Sequence, residues 1–423
     1  MIIWVIIGFI VFLLMGIPIA FVLGLAPLIA IISKGIPVAV IAQKMFTSTD
    51  SFVLMAIPLF ILAGNLMAEG GVTRRLIDFS KVVVGYISGG LALVTVLTSM
   101  GVAAITGAAV ATAAAVGSIM IPAMVKNGYK KDFASAVVAA SSIMGPIIPP
   151  SIPFILYGVL ANVSIASLFL AGIIPGVLLG ISMAVIIIIY ARKHNLPREK
   201  FPSFMEFLKA FIKAIPPLGM PLLVLGGILS GVFTPTEAAV IATVYAFILG
   251  LIYGELKLNK LPEILSDSAT TSSLVMLIIA TSSIFGWLLA SERIPQQVAN
   301  SFLSITNNPY LILLMINGLL LFVGTFMETT ASIVILTPIL LPLVTSLGIS
   351  PLHFGVVMAV NLVIGLTTPP LGVALYICCA MGKVTLEEIT KRVWPFILSS
   401  IVVLMLITYI PWLVTFIPTV LGK

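Results

Sequence analysis

Apolar runs near residues 2–32, 52–68, 168–190, 216–232, 236–254, 271–290 and 396–417 alternate with short charged or Gly/Pro-rich connections. Their lengths approach the roughly 20 residues that carry a helix across a bilayer, so each predicts a membrane-spanning helix. No Lys or Arg precedes the first run and no small-residue cleavage site follows it, which makes Met1 to Ile32 a retained helix rather than a signal peptide. From Arg192 to Lys213 the chain turns basic. There Ser203 and Glu206 form an S-x-x-E capping box, with Phe204, Phe207, Leu208, Phe211 and Ile212 on one face. This predicts an amphipathic helix in the cytoplasmic interface, within a linker over residues 191–215.

The apolar pattern is duplicated. A shift of residues 111–175 by 220 places Pro122 on Pro342, Gly128 on Gly348, Gly145 on Gly365, Pro149 and Pro150 on Pro369 and Pro370, and Pro175 on Pro395. Chance would give roughly one such coincidence, so residues 1–190 and 216–423 read as two copies of one unit. Val82 to Val125 carries no charge, is bounded by Lys81 and Lys126, and holds Thr98, Ser99, Gly101, Thr106 and Gly107 near its middle. An arm over Gly90 to Leu97 has barely two turns, too few to cross, which predicts a re-entrant hairpin over about 89–128 on the lysine-bearing, cytoplasmic face. Its copy over about 309–348 breaks at Gly324, Thr325, Glu328 and Thr329 and has no flanking Lys or Arg. It is therefore expected to enter from the opposite side, as an inverted repeat does. Two full spans per hairpin is the competing parse. Each hairpin is followed by a helix broken at paired prolines, Ser141 to Ser151 within 133–160 and Asn361 to Pro370 within 353–380. Proline removes amide donors and frees carbonyls that protein, water or an ion must satisfy in the bilayer. The expected fold class is an all-α polytopic membrane protein.

Composition narrows the function. With 61% hydrophobic and 8% charged residues the chain hides no soluble domain. The longest polar connection, about Ala191 to Lys213, is too short to fold alone, so soluble capture of a solute needs another protein. The net charge of +7 falls in clusters beside apolar runs, as the positive-inside rule requires, and not on a nucleic-acid face. Adjacent Cys378 and Cys379 and isolated His194 and His353 make neither a zinc site nor a disulfide framework. There is no H-E-x-x-H and no pair of membrane aspartates, which argues against an intramembrane enzyme, and matched occluding breaks suit alternating access better than an open pore.

Glu328 is the clearest acid deep in an apolar segment, and with no nearby base its economical partner is a cation from solution. Sodium takes oxygen ligands, here from carbonyls at Gly324, Gly365 and Thr367, the hydroxyls of Thr325 and Thr368, and Asn361. A protonated Glu328 in a proton-coupled carrier is the rival reading. In the first copy Ala108 stands opposite Glu328, so a cation there would meet neutral oxygens near Ser99, Gly107, Ser141, Ser142 and Gly145. Broken helices also present N-termini that attract anions. A carboxylate solute between the breaks, with two or more sodium ions beneath it, would meet Thr106, Ser151, Glu328 and Thr329. Glu237, in Phe233 to Ala239, reads as first-turn dipole compensation.

These motifs resemble the large membrane subunit of tripartite ATP-independent periplasmic (TRAP) transporters. The resemblance rests on Ala56 to Gly64, Gly117 to Met124, Gly145 to Pro153, Phe233 to Ala239 and Asn361 to Pro370, and covers nearly the whole chain. It implies a sodium-coupled inner-membrane importer of a small carboxylate such as a C4-dicarboxylate, sialic acid or keto acid. It also implies two partners, a small four-helix membrane subunit and a periplasmic solute-binding protein, and a scaffold around an elevator-type transport domain with two re-entrant hairpins. One departure is that the family pattern commonly has Asp where Glu328 stands and Ser where Ala108 stands. A stand-alone sodium- or proton-coupled carrier is the other transport reading.

Overall fold

The computed structural model describes residues 2–422, and these are all-helical. The first half comprises α1 (Ile2–Leu14), α2 (Ile19–Ser33), α3 (Ala39–Thr49), α4 (Ala56–Glu69), α5 (Val72–Val84), α6 (Gly90–Thr106), α7 (Ala109–Lys126), α8 (Lys131–Ser142), α9 (Ile152–Ala161) and α10 (Ile165–Lys193). The second comprises α11 (Phe204–Leu229), α12 (Pro235–Ile252), α13 (Leu261–Ser291), α14 (Ile294–Ile305), α15 (Pro309–Phe326), α16 (Thr329–Ser346), α17 (Pro351–Gly365), α18 (Val373–Gly382), α19 (Leu386–Tyr409) and α20 (Trp412–Val420). Eight of the described helices are long and apolar enough to cross a membrane.

The offset of 220 that matches the glycines and prolines also matches the helices. Displaced by it, α7 coincides end for end with α16, α6 overlies α15 to within one residue, and α8, α9 and α10 fall on α17, α18 and α19. The correspondence extends upstream, α2 onto α12 and α5 onto α14. In one place the copies differ. The segment that forms α3 and α4, bent by 68° around Asp50, is a single 31-residue helix, α13, in the second copy.

Three expected boundaries move. The first apolar run is two helices, because Gly16 (φ +77°) and Pro18 reverse the chain and lay α1 against α2. The amphipathic segment after Ser203 does not end near residue 215 but continues into the next apolar run as one helix to Leu229, its capping box formed as the spacing predicts. The first hairpin turns at Gly107 and Ala108, not across Thr98 to Gly101. Its arms have 17 and 18 residues, each about 26 Å long. Thr98 and Ser99 are inside α6 and fully buried, because their small side chains let α6 pack closely on its neighbours.

The hairpins interlock across the repeats. The second arm of the first hairpin, α7, packs on α18 of the other copy, and α16 packs reciprocally on α9. Around them α4 packs on α12, and α13 packs on α2, α3 and α4.

Candidate functional site

Where the hairpins interlock, their tips open on one cavity of about 460 Å³. Thr106 to Ala111 line it from the first tip and Glu328 to Thr330 from the second, while Pro146, Ile152 and Pro153 come from the first broken helix and Leu366 and Val373 from the second. The outer wall is Ile19 of α2, Asn65 of α4 and Thr271 of α13. Among the described residues, Glu328 is the only acidic or basic one on its lining.

Four helices, α7, α9, α16 and α18, begin at this lining. Helix N-termini leave amides without intrahelical partners and carry partial positive charge. At α16 the Glu328 carboxylate accepts from the amides of Thr330 (2.7 Å) and Ala331 (3.3 Å) and from the Thr330 hydroxyl (3.0 Å). The chain itself supplies these donors, and the carboxylate keeps a lone pair for the cation expected from solution. At α9 Ser151 accepts from the Phe154 amide and donates to the Pro146 carbonyl freed at the break. At α18 the Ala374 amide bonds to the Leu366 carbonyl (3.1 Å). Thr106 lies at the cavity with its hydroxyl 2.9 Å from that of Thr112, and Thr112 donates to the Ala108 carbonyl. The Thr329 hydroxyl is buried and finds no partner among the described residues.

The remaining predicted residues fall into two clusters behind the tips. In the first, the Ser99 and Ser141 hydroxyls are 2.9 Å apart, Ser141 and Ser142 donate to the carbonyls of Val138 and Ala139, and all three serines are buried. Gly145 lies against the tip so closely that a Cβ there would be 2.6 Å from the Ala108 carbonyl oxygen. In the second, Gly324 and Gly365 bring α15 and α17 into backbone contact, and a Cβ on Gly324 would lie 2.8 Å from the Leu362 carbonyl oxygen. Asn361 donates to the side chain (2.8 Å) and carbonyl (3.0 Å) of Asn317, which donates on to Thr408. The Thr325 hydroxyl donates to Phe322, and those of Thr367 and Thr368 to the Ile364 carbonyl, so these threonines satisfy local backbone oxygens. Each keeps lone pairs for another donor or a cation.

Sequence reasoning missed Asn317, Thr112 and Asn65. Asn317 could have been found as the one amide side chain within the apolar run of α15. Thr112 and Asn65 gain their place only from the tertiary arrangement.

A polytopic bundle with two copies of a hairpin and a broken helix, closed around a central cavity, defines a membrane transporter. The family described as "Tripartite ATP-independent periplasmic transporter, DctM component" matches residues 6–413, and the chain belongs to it. It is therefore an inner-membrane, multi-pass permease and not an enzyme. It is 40% identical to the sialic acid TRAP transporter large permease protein SiaM of Vibrio cholerae, over 95% of each chain. To the C4-dicarboxylate TRAP transporter large permease protein DctM of Pseudomonas aeruginosa it is 41% identical over 90% of each. The isethionate TRAP transporter permease protein DctMQ of Oleidesulfovibrio alaskensis is 44% identical over 95% of this chain, which spans 64% of that relative's length. The crystal structure of the Alcanivorax borkumensis YdaH transporter shares the fold, with a TM-score of 0.60 over 88% of each chain at 15% identity.

Proposed function

We propose that the chain imports a small organic carboxylate, or an acid of like size and charge, across the inner membrane, driven by a sodium gradient. The observation that carries this reading is the convergence of four helix N-termini on one cavity, with clusters of neutral oxygens directly behind both tips. N-termini favour an anionic solute, and hydroxyls and carbonyls favour a hard monovalent cation. The relatives named for sialic acid, C4-dicarboxylates and isethionate support the solute class.

Two or more sodium ions travel with the solute. The first cluster (Ser99, Ser141, Ser142, Gly145, Gly107) and the second (Gly324, Thr325, Asn361, Gly365, Thr367, Thr368) hold them, and Thr106, Ser151, Glu328 and Thr329 surround the solute. Re-entrant hairpins and elevator motion complete the mechanism. The backbone contacts Gly145–Ala108 and Gly365–Gly324 support it, since they bind each hairpin to its broken helix and favour movement as one body. A small four-helix membrane subunit steadies the frame and a periplasmic binding protein delivers the solute.

Uptake by liposomes containing the chain and its small subunit tests the reading. Labelled carboxylates are offered with and without an inward sodium gradient and the binding protein. Uptake that needs both establishes the proposal; uptake that needs neither replaces it with a stand-alone carrier.

A further inference from the structure

The chain passes three times between the frame, α1–α4 with α11–α13, and the body that carries the hairpins, over residues 70–89, 194–203 and 292–308. The elevator movement proposed above must be absorbed in these connections. The first and third each hold a residue in the left-handed region, Gly71 (φ +74°) before α5 and Arg293 (φ +57°) before α14. The second is tied to the first, since the Glu199 amide donates to the Gly85 carbonyl (3.1 Å) and the rings of Tyr86 and Phe201 meet edge to face.

Each left-handed residue is clasped from the other copy. Beside Gly71, the Arg75 guanidinium donates to Glu255 (2.9 Å) and to the Gly71 carbonyl (2.9 Å), and it lies 3.5 Å from the centre of the Tyr253 ring. Tyr253 and Glu255 follow α12, and a Cβ on Gly71 would overlap the Glu255 carboxylate, so this loop closes directly on the turn. Beside Arg293, whose left-handed backbone persists only where its surroundings hold it, Glu292 pairs with Lys34 at the end of α2. Helix α2 is the counterpart of α12, and Lys34 and Glu255 fall one position apart once the offset of 220 is applied. The charges are reversed: the cation belongs to the connection at the first joint and to the frame loop at the other. The two copies thus share an attraction across the joint and not the residues that make it.

We infer that Arg75 and Glu292 are positioning residues of the transport movement: their ion pairs fix the frame ends of α5 and α14, stay closed throughout the cycle, and make Gly71 and Arg293 the pivots on which the hairpins are carried. The inference rests on the elevator reading in the proposed function and deepens it to the place of the joints. Helix α5, with 13 residues, is about 20 Å long, so a swing of about 30° on a fixed end carries its far end by about 10 Å. A joint free to slide would absorb part of that stroke before it reached the hairpin.

Crosslinking tests this in liposomes holding the chain and its small subunit, with the binding protein and a sodium gradient supplied and Cys378 and Cys379 replaced by alanine. Labelled succinate, N-acetylneuraminate and isethionate are the probes, and a melting curve of each variant controls for folding. Arg75→Cys with Glu255→Cys, or Lys34→Cys with Glu292→Cys, opens a joint and should slow uptake at saturating probe by about fivefold, with KM unchanged. A short bifunctional thiol reagent that closes the pair again should restore the rate. Charge exchange gives a second readout: Arg75→Glu should slow uptake and Arg75→Glu with Glu255→Arg should recover it. Loss of uptake on closing either cysteine pair overturns the inference, because the joint must then open during transport, and opened pairs that work at the unmodified rate overturn it equally. A control joins frame to body through Gly286→Cys and Pro338→Cys, where a Cβ on Gly286 would lie 4.0 Å from the Pro338 ring. Closing this pair should stop uptake, and uptake that survives it overturns the elevator reading itself. Uptake of no probe by the unmodified chain overturns the proposed function on which both rest.

Discussion

The two hairpins share their helix boundaries and differ in chemistry. Their arms begin and end at positions 220 apart, to within one residue, yet the first turns through Gly107 and Ala108 and the second through Met327 and Glu328. Behind the tips the helix pairs α6–α8 and α15–α17 are also equivalent. The first is joined by two serine hydroxyls and the second by two asparagine amides that reach on to Thr408. The arms differ in packing too: α6 lies along α7, while α15 and α16 touch at few points and α16 leans on α13 and α14. Duplication has kept glycines and prolines that fix backbone paths and released the side chains at the tips and behind them.

If the glycines set the shared geometry, enlarging them should have the largest effect and the same one in both copies. Gly145→Val and Gly365→Val each force a branched side chain into a backbone contact and should cost about 3 kcal/mol, read as a matched fall in melting temperature. A fall in one variant alone would break the equivalence. Next, Asn361→Leu leaves the Asn317 side-chain oxygen buried without its donor and should cost about 1–3 kcal/mol, whereas Ser141→Ala should cost about 1 kcal/mol or less because Ser99 can turn to its own helix. The double change Asn317→Leu with Asn361→Leu should recover most of the stability lost, and a larger loss would show that the pair carries more than packing. Ser151→Ala removes the cap of α9 and should cost about 1 kcal/mol; its counterpart Leu371 offers no acceptor, so α18 has no matching sensitivity. The smallest effect belongs to Arg392→Gln, which breaks the partly buried pair with Asp132 (2.7 Å) and should cost about 0.5 kcal/mol, less at high salt. Leu352 stands where a second Asp132 would be, so that pair has no copy.

The repeat was legible because glycine and proline act locally: Gly145, Pro149 and Pro150 predict a break wherever they occur, and their copies sit at the same offset. The capping box of α11 was legible for the same reason, as Ser203 with Glu206 needs only a spacing of three; at α12 the sequence reading took Glu237 as dipole compensation alone, and the structure adds its capping box with Thr234. The turn of the first hairpin was not. Thr98, Ser99 and Gly101 look like a break, yet small residues serve close helix packing equally well, and Ser99 reveals its purpose only beside Ser141, 42 positions away. Glu328 stood out as a buried charge, but its donors are amides two and three residues on, available only because α16 starts there. The convergence of four N-termini joins residues from 109 to 373 and follows from the interlock of α7 with α18 and α16 with α9, for which no local pattern codes.

The contact between Ala108 and Gly145 also bears on how such a protein changes over generations. Backbone meets backbone there, so the path of the chain is held without help from the side chain of residue 108. Every alanine codon is a single base away from a codon for aspartate or glutamate. One point mutation can therefore give the first tip the kind of group that the second already has, while the backbone contact with Gly145 still holds the path of the chain.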